Sequence, residues 1–340
     1  MRRVDDPRAW DAAMLGLPAP HVLQSWAWGA FKARWGWHVE RYAWGGEVPT
    51  AAAQVLVRRV ARSPFRVGYI PKGPVLATPD DPDAWGHVLA DLERWARRDG
   101  LVQLKMDADV SADAHAVAAV WRDRGWQPSE EQIQFRNTML SDLGGGETAA
   151  WAASKSKTRY NVRLAERRGV TVRHGGRADL ATFYDLYATT GARQGFGIRA
   201  RDYYLDAWSS FLDLGWSTVI LAELDGRPLA GVIPVAFGAT AWYLYGASAD
   251  AGREHMPAHL AQWESLRWAI ARGCARYDWW GGPTGPSEDD PLAGVSRFKA
   301  GFGAVLVRQQ GAWDYPAGGW RYAAFQAADR IRRGWIKRRR

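Results

Sequence analysis

The chain carries one pattern of turns and periods twice, and this duplication constrains its fold more than any other feature. The first copy reads HVERYAW, a Gly45-Gly46 turn, PTAAAQVLVRRV, a break at Ser63-Pro64 and FRVGYIPKGPVL. The second reads STVILAEL, Asp225-Gly226, PLAGVIPVAF, a break at Gly238 and AWYLYGASAD. Gly-Gly and Asp-Gly turns between alternating or β-branched runs predict a three-stranded meander in each. Behind each meander comes a segment with apolar residues at three- and four-residue spacing: DAWGHVLADLERWARRDG, closed by Gly100, and PAHLAQWESLRWAIARGC, closed at Gly273. Both predict helices, and each feeds a short strand, LVQLKMDAD or ARYDWWGG. A further helix follows in the first copy, and GWQPSEEQIQFRNTML and GAVLVRQQGAWDY each predict a closing strand pair. Two similar α+β domains are therefore expected, residues 1–146 completed by 310–340, and residues 147–309, joined near Gly144-Gly145-Gly146.

Charge placement says more about partners than the net value of +9. Residues 151–173 hold seven Lys/Arg and one Glu, and residues 327–340 hold seven Lys/Arg and one Asp, so each carries +6 and the remainder −3. Two basic patches on a slightly acidic background predict polyanionic partners at two places. The tail, with Trp335 and Ile336 among its arginines, reads as either a disordered solubilising end or a membrane-surface helix. An aromatic content of 13% excludes disorder as the main state. The single Cys274 excludes an intramolecular disulfide and a cysteine-based zinc cluster, and it suits the cytosol. The charged, proline-broken N-terminus and the absence of any long uncharged run lead us to expect a chain that is neither exported nor membrane-spanning. His255 and His259 have helical ligand spacing, but Pro257 lies between them and no His-Glu-x-x-His accompanies them, so no metal is expected.

The element order resembles that of the acyl-CoA N-acyltransferase (GNAT) superfamily. In that fold an Arg/Gln-x-x-Gly-x-Gly/Ala loop after the third meander strand cradles the coenzyme A pyrophosphate with backbone N–H groups. Here the corresponding loops read YIPKGPVLATPDDPDA and ASADAGREHMPA and lack it, so coenzyme A is disfavoured and no cofactor is expected. A loose match, Arg173 to Ala178, lies before the second meander, where the fold has no use for it. Seven further segments occur in order: QSWAWGAFKARWGW, YIPKGP, KMDADV, SKTRYNVRLAERRGV, FGIRARDYY, YLYGAS, and YDWWGG with SRFKAGFGA. Together, over nearly the whole chain, they resemble the FemABX family of nonribosomal peptidyltransferases, particularly its FemX branch. The resemblance implies tandem GNAT-like domains. It also implies transfer of an amino acid from aminoacyl-tRNA to the side-chain amine of the third residue of a peptidoglycan stem peptide, carried on a UDP-linked or lipid-linked muropeptide precursor. Some members insert a helical coiled-coil arm into the second domain; only Gly169 separates Arg168 from Val170 here, so no arm is expected.

Aminolysis of an aminoacyl ester requires a neutral amine, stabilisation of a tetrahedral oxyanion and a proton path to the departing ribose oxygen, with no metal. Lys299, a cation in an apolar, glycine-rich setting, suits the oxyanion, and it matches the lysine of the family's Phe-Lys-x-Gly-Phe-Gly motif beside Phe298. Asp107 and Asp109 end a predicted strand, where a carboxylate faces a cleft and can orient or deprotonate the acceptor ammonium. Spacing does not choose between them; the resemblance favours Asp107 as the catalytic partner of Lys299. Arg199 and Tyr203, four apart, are predicted to face the same way at a helix start. By resemblance Lys32 and Arg199 contact the precursor diphosphate with Tyr203 beside them, and Tyr245 and Phe298 line the substrate groove. Lys155, Lys157, Arg159 and Arg163 are candidate tRNA contacts. The expected protein is a cytoplasmic monomer, its basic tail resting on the anionic inner leaflet. Two other functions fit the same residues: an N-acyltransferase on another amine, and a catalytically inactive relative that binds tRNA or membrane.

Overall fold

The computed structural model describes residues 1–60, 63–195, 197–285, 290 and 292–337, the side chains of 329 and 331–337 excepted. The chain divides into two compact units, Met1–Arg136 with Arg308–Arg340, and Asn137–Val307. In the first, β1 (Arg2–Arg3), α1 (Pro7–Leu15) and α2 (Trp26–Arg34) precede the meander β2 (His38–Gly45), β3 (Pro49–Arg59) and β4 (Arg66–Ile70). The short β5 (Val75–Leu76), α3 (Pro82–Arg98), β6 (Gln103–Met106), α4 (His115–Asp123) and β7 (Gln127–Pro128) follow. The second unit opens with β8 (Thr138–Asp142), α5 (Gly146–Ala153), α6 (Ser156–Arg167), β9 (Thr171–Gly175), α7 (Leu180–Gln194) and α8 (Arg201–Asp213). Its meander is β10 (Val219–Leu224), β11 (Arg227–Phe237) and β12 (Thr240–Ser248), followed by α9 (Pro257–Ala271), β13 (Arg276–Asp278), α10 (Ala293–Gly301) and β14 (Val305–Val307). β15 (Trp313–Tyr315) and α11 (Trp320–Lys337) return the chain to the first unit.

The sheets run β1-β2-β3-β4-β6-β15-β7, with β5 on β3, and β14-β8-β13-β12-β11-β10-β9. Each contains one parallel pair, β4 with β6 and β12 with β13, bridged by the helix between them, as parallel neighbours require. The local chemistry explains both copies. Asp225 and Gly226, at φ 51° and 74°, make the two-residue turn that pairs Leu224 with Arg227. Asp81 caps α3 by accepting from Asp83 N at 2.9 Å, Pro82 fills its first position, and Gly100 ends it at φ 70°. Six tryptophans, Trp44, Trp85, Trp95, Trp121, Trp126 and Trp313, dominate the first core. Each buries about 150–250 Å², worth roughly 4–6 kcal/mol at about 25 cal/mol per Å².

Two expectations need correction. GWQPSEEQIQFRNTML and GAVLVRQQGAWDY do not form strand pairs. The first supplies β7 to one sheet and β8 to the other; the second supplies β14 and then β15 in the reverse sense. The physical reason is visible at 308–310, whose backbone groups bond to 110–112 instead of folding back as a hairpin: Ala112 N to Arg308 O, Gln310 N to Val110 O, and a bridge between Ser111 and Gln309. Because β8 pairs with β13 and β14, the boundary falls after Arg136 rather than at residue 146. At the end of α6 the chain turns directly into β9, and among the described residues no helical arm is inserted there. The tail is helical through Lys337, with Phe325 edge-on to Phe65 at 5.9 Å; the expectation for the side chains of residues 331–340 lies outside the described residues. Among those described, no helix is long and apolar enough to cross a membrane.

Candidate functional site

Each unit gathers a polar group at the carboxyl end of its parallel strand pair, where open α/β sheets form a crevice. In the first unit β4 leads into YIPKGP and β6 into KMDADV. Asp107 is 3% exposed; Tyr69 donates its hydroxyl to Oδ2 at 2.6 Å and Lys72 its backbone N–H to Oδ1 at 2.6 Å. Burial pushes the Asp107 carboxyl upward against these donors. The ammonium of Lys72 pairs with Asp109 Oδ1 at 2.8 Å and donates to Gln309 Oε1 at 3.2 Å. Burial raises the Asp109 carboxyl, but Lys72, His21 and the hydrogen bonds from Lys72 and Gln309 together hold the group below the usual range. His21 Nε2 lies 4.0 Å from Asp109 Oδ2, and burial drops the imidazole to about 3, so the ring is neutral.

Lys32 belongs to a different part of this unit. Ser25 caps α2 by accepting from Trp28 N at 3.2 Å, and Gly29 is required because a Cβ there would stand 2.1 Å from Gln54 Oε1. Lys32 is 8% exposed, its Nζ 5.6, 5.8 and 5.4 Å from the ring centroids of Trp28, Phe31 and Trp37, a cage suited to a cation.

In the second unit Lys299 is 4% exposed on the last turn of α10. It donates to the carbonyls of Trp280 and Gly281, both at 2.6 Å. These carbonyls are turned by a backbone at φ 56° and 31° just after β13. Burial pushes the Lys299 ammonium down to about 8, against the pull of Asp278, whose Oδ1 accepts from Trp280 N at 2.8 Å. Gly301 lets α6 approach: a Cβ there would meet Thr158 Oγ1 at 2.5 Å. Phe298 packs on His259 at 5.1 Å and Phe302 at 5.3 Å.

Arg199 precedes α8 instead of starting it, yet its guanidinium lies 4.7 Å from the Tyr203 ring centroid. Tyr203 meets Tyr204 at 5.7 Å, and Tyr204 meets Tyr245 at 6.1 Å, so Arg199, Tyr203 and Tyr245 share one aromatic cluster with Trp208 and Tyr187. Burial drives the Tyr245 hydroxyl well above its ordinary value. The basic helix is less uniform than its sequence. Arg159 is held on the last carbonyls of α5, donating to Ala152 O at 3.3 Å and to Ser154 O, whereas Lys155, Lys157 and Arg163 are exposed. Sequence reasoning did not single out Lys72, Tyr69, His21, Gln309 or Asp278. The signal available for the first two was YIPKGP, a buried-strand pattern that ends in a lysine.

The acetyltransferase (GNAT) domain family matches residues 153–299. The lipid II:glycine glycyltransferase of Staphylococcus haemolyticus (strain JCSC1435) is 24% identical over 379 aligned positions, which cover 90% of each chain. Several tens of its positions therefore have no counterpart in this 340-residue chain. Among solved structures FemX superposes with a TM-score of 0.86 at 22% identity, covering 95% of this chain and 99% of that one. A tandem GNAT protein from the clavulanic acid biosynthesis pathway superposes at 0.53 and 13% identity, covering 92% and 94%. The tandem GNAT architecture and the FemX-like character are thus borne out, and the matches support an acyltransferase.

Proposed function

We propose, from the premise of a FemX-like tandem GNAT chain with a lipid II:glycine glycyltransferase among its relatives, that this protein transfers an amino acid from aminoacyl-tRNA to the side-chain amine at the third position of a stem peptide. The acceptor is lipid-linked, as the relative's name favours over the soluble nucleotide form. The product is the first branch of an interpeptide bridge, built by a cytoplasmic monomer that works at the inner leaflet.

One observation carries this reading. An ammonium has three N–H donors, and Lys299 commits two of them to Trp280 and Gly281, which aims the third. The amine nitrogen attacks the ester carbonyl and gains a bond to carbon while the carbonyl electrons move to oxygen. The third N–H of Lys299 meets that oxyanion. Collapse restores the carbonyl and expels the ribose oxygen, which takes up the proton lost by the amine. Lys299 is fixed by carbonyls rather than by a hydrogen-bonded carboxylate among the described residues, so its charge stays available to the transition state. One carboxylate of the pair Asp107 and Asp109 serves the acceptor amine. Lys32 and Arg199 with Tyr203 hold the diphosphate, Tyr245 and Phe298 line the groove, and Lys155, Lys157 and Arg163 meet tRNA phosphates.

The test is transfer of labelled amino acids from charged tRNA to lipid II in micelles and to the soluble nucleotide precursor. Labelled product on lipid II is expected. Transfer from an acyl-coenzyme A to a simple amine, with none from tRNA, would replace this reading with the other N-acyltransferase, and binding of tRNA without turnover would leave an inactive relative.

A further inference from the structure

Which carboxylate meets the acceptor amine is decided by what already surrounds each one. Asp107 is buried to 3% exposure and both its oxygens carry protein donors, the Tyr69 hydroxyl and the Lys72 N–H. Gln134 Nε2 backs this arrangement by donating to the Tyr69 oxygen at 3.2 Å. Asp107 therefore fastens the turn after β4 and has no exposed face for a ligand. Asp109 differs: its side chain is 30% exposed, while its partner Lys72 is 6% exposed.

Lys72 links the two. Its φ of 51° is a left-handed conformation that costs a non-glycine residue roughly 1 kcal/mol or more and persists only where neighbours enforce it. Here the N–H bond to Asp107 enforces it, and the same turn sends the ammonium to Asp109 Oδ1. One residue thus reads Asp107 with its backbone and Asp109 with its side chain. Across the carboxylate, the His21 imidazole accepts from Leu23 N at Nδ1, at 3.0 Å, which leaves its proton on Nε2, facing Asp109 Oδ2. The charged and titratable groups around Asp109 are therefore Lys72, neutral His21, Asp107 and Tyr69.

We infer that Asp109, not Asp107, receives the acceptor amine, and that Lys72 is a positioning residue that orients Asp109 and keeps it from gripping that amine as an ammonium. This rests on the amine-acceptor reading above. An amine must shed its proton before it attacks, and a carboxylate alone would stabilise the charged form. A cation 2.8 Å from the same carboxylate offsets that bias and lowers the amine's own proton affinity.

The probe is a muramyl-pentapeptide with lysine at its third position, compared with the norleucine analogue that lacks the amine. Binding is read by calorimetry, independently of turnover. The wild type should prefer the lysine peptide, and Asp109→Asn should erase the preference in the folded protein, with a lower melting temperature because the Lys72 ammonium loses its carboxylate. Asp107→Asn should lower the melting temperature and keep the preference. Lys72→Met should widen the preference and, in the transfer assay, cut kcat about tenfold, as one unit of amine pKa implies, without raising the acceptor KM. Lys72→Arg should restore kcat. Should Lys72→Met fail to fold, the asparagine pair and Lys72→Arg carry the test. A preference that survives Asp109→Asn, or no preference in the wild type, overturns the inference, as does a Lys72→Met variant that loses kcat and acceptor affinity together. Amine discrimination without transfer from tRNA supports this inference and defeats the transfer reading instead.

Discussion

The two units place a buried lysine at the carboxyl end of the same parallel strand pair, and they neutralise it in opposite ways. In the first, Lys72 faces the carboxylate of Asp109 at 2.8 Å; in the second, Lys299 faces two backbone carbonyls at 2.6 Å, with Asp278 acting from beyond. A lysine paired with a carboxylate is a fixed charge, and removing either partner strands the other. A lysine on carbonyl dipoles keeps an unsatisfied positive field and a protonation equilibrium near neutrality. The two units thus hold a buried lysine once against a carboxylate and once against backbone carbonyls.

The sharpest way to break this comparison is Lys299→Ala. Loss of the donor should cost about 10²-fold or more in turnover, as for a single oxyanion donor, with acceptor affinity little changed. Near-normal turnover in steady-state assays would remove the contrast between the units.

The second concerns pH. Because the folded-state value of Lys299 is lowered from 10.5 to about 8, the native state binds fewer protons than the unfolded chain between those values. Stability must therefore rise with pH across that window, recovering on the order of 3 kcal/mol, while turnover that needs the ammonium falls. Thermal unfolding and single-turnover rates from pH 7 to 10 should move in opposite directions. Lys299→Met should lack the stability gain, and Lys299→Arg should hold its charge and lose the falling limb. Parallel trends would show that the cation is not the working form.

Smaller effects are expected at the diphosphate. Lys32→Ala and Arg199→Ala should each weaken binding of a diphosphate-bearing acceptor by about 1.5–3 kcal/mol, and weaken a muramyl peptide without diphosphate much less. Titrations showing equal losses on both would place these residues elsewhere. The smallest tests α11, an element of the first unit with no counterpart among the described residues of the second. Deleting residues 330–340 should remove sedimentation with anionic vesicles at low salt, at about 1 kcal/mol per basic residue, while transfer to a soluble muramyl-pentapeptide persists. Loss of the soluble reaction would tie the tail to the fold or to tRNA.

What the sequence disclosed follows from range. Meanders and their helices are encoded locally, in Asp225-Gly226, in the Asp81 cap and in the three- and four-residue spacing of α3 and α9, so they were legible. β7, β14 and β15 have two or three residues each, too few to show a period, and their partners were set by distant backbone groups at 110–112. Lys299 was legible because its motif is contiguous. Lys72 was not, since its importance arises only when β4 and β6 pair Ile70 with Met106 and bring residues 37 apart together. Arg159 looked like its neighbours because a run of cations does not say which one will find the end of α5.

The exchange of strands between the sheets also has a consequence for synthesis. Residues 137–307 are contiguous and can close their sheet as soon as they leave the ribosome. The first unit cannot, although most of it is made earlier, because β15 lies between β6 and β7 and is translated after the whole second unit. Until Trp313–Tyr315 is made, β6 presents an open edge beside a core already rich in tryptophan, a state prone to edge pairing between nascent chains. The half that is begun first is finished second, and a chain released after residue 307 would carry one complete unit and one exposed, unfinished sheet.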